Sequence, residues 1–441
     1  MSPRSAPAPV VVKFGGASLA DAGRVAEEIQ RLARSSPRIV VVASAREGVT
    51  DLLEEALAHP RSPSGHRRIL ERVRALHPAL PPAGAAQLER LRRLFAELAR
   101  SRGEDAPLAD RIRSQGERLA VQWLSARLRE LGLPAVPIES DHLGLITDNA
   151  YGASCLLLDR SRGAVRRGLG RRLARGELPV VTGYFGRSLE GRVATLGRGG
   201  SDYAAAGIGA LIGATRVELV KRHVAVFSAD PREVPEARPI PELSYEEAEE
   251  LAQFGARVLH PQTIEPARAA GLVLSVRSFE DPTVATSIGP ARSGRRNRAI
   301  TMLRPLRMVR LRVPGGRQRR GIIAEVTERL AGTGVNIVQL FTSSALLSIV
   351  LEPGQVLHGI RALAPVTQGD AADLEGPFRI ALVTVIGDGV LDDLDRLPAE
   401  AVHGAEGFSA TPRALSLAVP EDRGPDAVRA LHRALVTPEA G

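Results

Sequence analysis

Along the first two thirds of the chain, short and nearly unbroken apolar runs alternate with longer amphipathic stretches. VVVKFGG at 10–16 reads as a buried strand ending in a glycine turn, and SLADAGRVAEEIQRLARS after it reads as a helix. RIVVVASA (38–45), PAVPI (134–138), PVVTGYFG (179–186) and RVELV (216–220) predict further buried strands. Residues 51–131 are helical in pattern, broken by Pro/Gly clusters at 60–65 and 78–84. Strands rich in Val, Ile and Leu at consecutive positions are those of a parallel sheet covered on both faces. The pattern shifts near 290, where GPARSGRRNRAITMLRP lacks apolar periodicity and predicts a linker. Beyond it, RMVRLRV, GIIAEVTERLAGTG, VNIVQLFTS and LLSIVLEP read as strand, helix, strand, strand. FRIALVTVIGDG then starts again with a strand, and a helical DAVRALHRALV near the end completes a second small α+β unit.

Length and composition narrow the class. At about 150 residues per domain, 441 residues suggest two or three domains, each able to bury its own core. No apolar run approaches the roughly 18 residues of a membrane span, and MSPRSAPAP has no signal-type apolar stretch. The single cysteine, Cys155, excludes an internal disulfide framework, and its LLL context predicts an inert core thiol. A cytoplasmic protein is the expectation. A net charge of +9 invites a nucleic-acid reading, but the arginines lie in stretches such as GHRRILERVRALHP and QLERLRRLFAELARSR with acidic residues interspersed. With aromatics at only 3%, these read as solvated helix faces, so neither nucleic acid nor membrane is expected as a partner.

The basic residues are unevenly divided. Lysine occurs only at Lys13 and Lys221, so 57 of the 59 cationic side chains are arginine. A lysine kept against that bias is expected where a compact ammonium is needed and a planar guanidinium cannot substitute.

Two glycine-rich turns carry candidate chemistry. Lys13-Phe14-Gly15-Gly16-Ala17-Ser18 ends the first strand, where paired glycines let backbone amides approach an anion and Lys13 adds a point charge. Thr195-Leu196-Gly197-Arg198-Gly199-Gly200-Ser201-Asp202 precedes the small-residue helix YAAAGIGALIGA and can form an anion nest, with Ser201 or Asp202 able to cap the helix. Arg198 in that loop calls for a carboxylate or phosphate partner. His260, before a proline, predicts a cap or packing role, and the nine histidines show no metal-ligand spacing.

KFGGAS, SAREGVT (44–50), SQGERLA (114–120), TGYFGRSLEGRVATLGRGGSDYAA, FSADPR and FGARVLHPQTIEPA follow one another in the order found in aspartate kinases of the amino-acid kinase superfamily, which the chain resembles over most of residues 10–289. RRGIIAEVTERLAGTGVNIVQLFTSS resembles the first of two ACT regulatory modules. The resemblance implies a three-layer α/β/α kinase domain with a mostly parallel sheet at 8–292, then ferredoxin-like ACT modules at 305–372 and 375–441. It implies ATP and L-aspartate as substrates, Mg²⁺ carried largely by the nucleotide, phosphorylation of the β-carboxylate, an amino-acid effector at the tail around Gly321 and Gly334-Val335-Asn336, and a homodimer or higher homo-oligomer. Lys13 and Asp202 then match catalytic positions. Ser44, Thr50, Glu117, Arg198, Gly199, Gly200 and Ser201 match aspartate-binding positions: an α-ammonium needs an acid and a free carboxylate needs an arginine. Lys13, Phe14, Gly15, Gly16, Phe227, Arg232, Arg257 and Val258 match nucleotide-contacting positions.

The sequence departs from the family pattern at one place above all. Where the family has a stretch close to Thr-Asp-Val-Asp-Gly, this chain reads Lys221-Arg222-His223-Val224-Ala225. Two carboxylates give way to two cations. Lys221 and Arg222 are therefore expected to hold phosphate or ribose in a rebuilt nucleotide site, the alternative being a catalytically silent amino-acid-sensing homologue. A kinase for another amino-acid carboxylate is a third reading. Ala17 for the usual Thr and Arg46-Glu47 in the turn after the second strand are smaller departures, as is Thr342-Ser343-Ser344 for the usual Thr-Ser-Glu in the tail.

Overall fold

The computed structural model describes residues 7–101, 103–222, 226–255, 259–281, 283–290, 299–312, 321–343, 345–367 and 373–436. It forms two compact units. The first comprises residues up to 226 together with 241–248 and 258–291; the second comprises 227–240, 249–257 and everything from 292 onward. The predicted kinase boundary near 292 thus misses two insertions, because the segments around Phe227 and Phe254 pack into the second unit. Among the described residues, no helix is long and apolar enough to cross a membrane.

The strands of the first unit are β1 (Val10–Phe14), β2 (Ile39–Ala43), β3 (Ala135–Ile138), β4 (Leu178–Thr182), β5 (Phe185–Arg187), β6 (Val193–Thr195), β7 (Arg216–Lys221), β8 (Glu242–Ser244), β9 (Val273–Ser278) and β10 (Ala285–Gly289). Eight of them form one sheet in the order β3-β4-β2-β1-β7-β9-β10-β8, while β5 and β6 make a separate hairpin. Every neighbouring pair in the large sheet is parallel except β9–β10. The order runs outward from β1 in both directions, so the carboxyl ends of β1, β2 and β7 border the crevice where open α/β sheets take ligands.

The helices needed below are α1 (Ala22–Ala33), α2 (Val49–Ala58), α3 (Pro63–Ala75), α4 (Pro82–Leu98), α5 (Ala106–Arg113), α6 (Gln115–Glu130), α7 (Ser140–Leu143), α8 (Leu158–Ala174), α9 (Gly200–Ile212), α10 (Tyr245–Gln253) and α11 (Pro261–Ala270). Side chains of α1 and α6 bury Val12, Phe14, Val41, Ala43 and Val220 on one face of the sheet. Helix α9 lies on β1 and β7. Because side chains alternate along a strand, Lys13 and Lys221 project opposite to Phe14 and Val220, toward the α9 face. Helices α2 to α6 share a further core around Leu53, Leu91 and Phe95.

The second unit is antiparallel. Its strands β11 (Ala299–Arg312), β12 (Gln339–Thr342), β13 (Leu346–Leu351), β14 (Asp373–Ile386), β15 (Gly407–Ala410) and β16 (Ala414–Pro420) form one sheet in the order β12-β13-β11-β14-β16-β15. Helices α12 (Ile322–Gly332), α13 (Val356–Leu363), α14 (Ala399–Val402) and α15 (Gly424–Leu435) accompany it. The arrangement is consistent with two ACT-like modules, but the modules are not consecutive in sequence. Strands β11 and β14 each run 14 residues, and each serves two cores. Val309 and Leu311 pack with Val326, Leu330 and Ile349, whereas Ile300, from the other half of β11, packs with Val383, Leu417 and Leu431. Residues 299–303, expected within the linker, therefore belong to the sheet, pairing with Leu382–Ile386. Of the remaining linker residues, 291–298 lie outside the described residues.

Candidate functional site

At the carboxyl ends of β1, β2 and β4, the loops that follow these strands and the start of α9 border a cavity of about 660 Å³. Its lining includes Lys13 and Gly16, Ser44 and Thr50, Glu117, and Arg198 to Asp202. The structure thus brings together every predicted aspartate-binding residue and both predicted catalytic residues, although they come from positions far apart in the chain.

The cavity owes its shape to tight loop contacts. A Cβ at Gly16 would lie 2.5 Å from the Ala45 carbonyl oxygen, so only glycine lets the loops after β1 and β2 meet. Gly199, at φ +71°, is the N-cap of α9, and a Cβ there would lie 2.6 Å from His260 Cβ. Neither Ser201 nor Asp202 is the cap, contrary to the expectation. Glycine in the left-handed region ends the loop one step earlier, which frees both side chains to face the cavity. The first turn of α9 presents its amide end there, favourable to an anion. His260 caps α11 as expected, its Nδ1 accepting from the Gln262 amide at 3.4 Å. Burial and the Arg198 guanidinium hold its imidazole below the ordinary value.

Both lysines of the chain converge on Asp202. Lys13 Nζ lies 2.7 Å from Oδ1 and Lys221 Nζ lies 2.8 Å from Oδ2. Burial disfavours charge on Asp202, but the two ammonium groups outweigh it and hold the carboxyl well below the usual carboxylate range. Glu117 is the opposite case. Burial pushes its carboxyl up to about 8, although the Ala45 amide donates to it at 3.0 Å and Lys13 and Arg118 also favour its ionised form.

Several residues of the site were not anticipated. Arg113 lines the cavity and pairs with Glu54 at 2.7 Å, which raises its affinity for its proton. Tyr184 also lines it, at φ +68°, a backbone region that a non-glycine residue occupies only at some cost. Burial and the Glu117 carboxylate push its phenol up to about 12. Arg46 stacks over Trp123 at 3.8 Å and steadies the loop after β2. Asp110, fully buried, accepts from the Gly152 amide (2.9 Å), the Thr195 amide (2.8 Å) and the Thr195 hydroxyl (2.8 Å). It ties β6 and the loop at Gly152 to α5. Asp110→Asn, which would set an NH₂ against those donors, is expected to lower unfolding free energy by about 2–3 kcal/mol in urea titration. A signal for this group existed in ADRIRSQGE: Asp110, Arg113 and Glu117 are spaced i, i+3, i+7 across the α5–α6 junction.

Some expectations change. Phe14 is fully buried in the core beneath the sheet, its ring edge-on to Phe279, so its side chain cannot contact a nucleotide in the cavity. Its carbonyl accepts from the Ser44 amide. Gly15 abuts the site, a Cβ there lying 3.8 Å from Lys13 Nζ. Arg222 reaches toward Glu47 (3.7 Å) and Glu280 (3.8 Å) and does not line the cavity. Phe227 and Arg232 belong to the second unit, where Phe227 bridges to Pro239 and Arg232 folds back onto Asp230 at 2.6 Å. Arg257, Val258 and residues 223–225 lie outside the described residues. Cys155 is exposed rather than a core thiol, because the local chain alternates and buries Ser154 and Leu156 instead.

The donors present do not fit a divalent cation held by the protein. Both oxygens of Asp202 are taken by ammonium groups, Glu54 by Arg113 and one oxygen of Glu117 by an amide, while Glu47 faces Arg222. Among the described residues, the one cluster with metal-ligand spacing is Glu139, Asp141 and His142, where Glu139 and Asp141 already pair with the buried Arg118.

Comparison with known proteins identifies the family. The pattern of the amino acid kinase family matches residues 8–278. The aspartokinase of Thermus thermophilus is 28% identical over 96% of this chain and 98% of its own length. The lysine-sensitive aspartokinase 3 of Escherichia coli is 30% identical over 86% of this chain and 87% of its own. The crystal structure of E. coli aspartokinase III in complex with aspartate and ADP superposes with a TM-score of 0.81, at 26% identity, covering 97% of this chain and all of that one. On this extent of similarity, the chain belongs to the amino acid kinase family, in its aspartokinase branch.

Proposed function

We propose that this protein transfers the γ-phosphoryl group of ATP to the β-carboxylate of L-aspartate, giving 4-phospho-L-aspartate. The observation that carries the reading is one cavity holding the buried Lys13–Asp202 pair beside Glu117, Arg198 and an α9 amide terminus. The E. coli relative, crystallised with aspartate and ADP, supports both substrates. In this reading Glu117 takes the α-ammonium and Arg198 the α-carboxylate, aided by Ser44, Thr50 and Ser201. The β-carboxylate is thereby aimed at the γ-phosphorus. A carboxylate is already a competent nucleophile, so no general base is needed. Its oxygen bonds to phosphorus as the bond to the ADP β-phosphate oxygen breaks, and the electron pair leaves with ADP. The chain's contribution is positioning and charge neutralisation, with Lys13 at the phosphates and Asp202 holding Lys13 in place.

A hydroxamate assay with ATP tests this. Signal is expected with aspartate and not with glutamate or an N-blocked aspartate. Aspartate binding without turnover would overturn the kinase reading and leave a sensor. For the second unit we infer an effector role, supported by the lysine-sensitive relative and by Gly321 and Gly334, both in the left-handed conformation. A cytoplasmic location accords with the single cysteine.

A further inference from the structure

The carboxylates lining the cavity are engaged by cations and amides, and one of them, Asp202, holds two ammonium groups: that of Lys13, which also lines the cavity, and that of Lys221, which does not. That arrangement follows from the sheet. Strands β1 and β7 are parallel neighbours, with Lys13 in register with Leu219, two residues before Lys221. Both lysines therefore project from adjacent strands onto the α9 face, where Asp202 stands in the first turn. One ammonium would balance the charge of Asp202. The second leaves the trio net positive, in a place where side-chain exposure is 9% for Lys13, 20% for Lys221 and 6% for Asp202. A net cation so poorly hydrated is stabilised by an anion. Elsewhere in the chain cationic duty falls to arginine, and only these two positions keep the compact ammonium.

We propose that Lys221 is a second phosphate-binding lysine, clamped to Lys13 through Asp202, which supplies at the β- and γ-phosphates positive charge that a protein-held divalent cation would otherwise supply. The proposal rests on the kinase reading only so far as a nucleotide triphosphate enters this cavity. During transfer, negative charge grows on the ADP oxygen that leaves phosphorus, and the lysine pair neutralises it.

The test is calorimetric titration of ADP into the full chain, once with EDTA and once with excess Mg²⁺, for wild type, Lys221→Thr and Lys221→Arg. In the wild type, ADP affinity without metal is expected within about tenfold of that with Mg²⁺. Lys221→Thr should weaken metal-free ADP binding by about tenfold or more, and binding with Mg²⁺ clearly less. Lys221→Arg should fall between the two, and aspartate affinity should stay within about twofold. The proposal is overturned if EDTA costs the wild type more than about a hundredfold, or if Lys221→Thr weakens both titrations equally or neither. Should Lys221→Thr lose its melting transition or its aspartate binding, the wild-type ratio with and without metal decides alone. A chain that binds ADP as expected here yet forms no aspartyl hydroxamate would refute the proposed activity and leave this inference standing.

Discussion

Lys13→Met is expected to lower the turnover number for aspartyl phosphate formation by about 10²–10³-fold, with the KM for aspartate changing less than about threefold. The expectation follows from where the charge sits. Lys13 is almost fully buried at the end of β1 and lines the cavity, while Lys221, which is not among the lining residues, shares the same carboxylate. Methionine keeps the length and apolar stem of the side chain and removes only the ammonium. Asp202 keeps Lys221 as a partner, so the fold survives, which a circular dichroism melt checks. A loss of turnover below about tenfold in the hydroxamate assay would show that Lys13 does not act on the transferring group.

Glu117→Gln should separate binding from stability. Burial raises the Glu117 carboxyl to about 8, well above its ordinary 4.5. The folded chain therefore keeps a proton that the unfolded chain releases at moderate pH. A group raised in this way leaves stability intact below its unfolded value and withdraws it as pH climbs through 8. Glutamine has no proton to lose. The variant should melt at the same temperature as wild type near pH 4 and higher near pH 9, with a difference of roughly 2–4 kcal/mol at the alkaline end. Aspartate binding moves the other way. Its α-ammonium needs the ionised carboxylate, so wild-type affinity should strengthen as pH rises toward 8, with a proton released to buffer at neutral pH. The variant should bind aspartate about 10–100-fold more weakly at pH 8 and above, the gap closing as pH falls and the wild-type carboxyl takes up its proton, while ADP affinity holds. Calorimetry in two buffers of different ionisation enthalpy reads the released proton directly; a wild type that releases none would remove Glu117 from the ammonium site.

Much of the first unit was legible because its strands are continuous Val/Ile/Leu runs closed by glycine. The residues Lys13, Ser44 and Lys221 follow at their carboxyl ends, where a parallel sheet gathers its ligands. The clamp on Asp202 was only half legible. A rare lysine signals need, but that both lysines share one carboxylate depends on strand order, which no local pattern encodes. Asp110 and Tyr184 were missed for the same kind of reason: their partners Thr195, Gly152 and Glu117 arrive by tertiary folding. Phe14 sits in the same glycine motif as Lys13, but the alternation along β1 turns its ring away from Lys13 and into the core. In the second unit, the arginines and prolines around Ile300 disguised a strand whose partner, Val385, is 85 positions onward.

The two shared strands of the second unit have a mechanical consequence. Strands β11 and β14 run unbroken in hydrogen-bonded register from one core into the other, apart from local bulges. A twist imposed at Val309 by an occupant of the first module therefore travels along the backbone to Ile300 in the second. Neither module can rotate as a separate bead on a hinge. The pair should tilt and melt together, like two rooms built on the same beams.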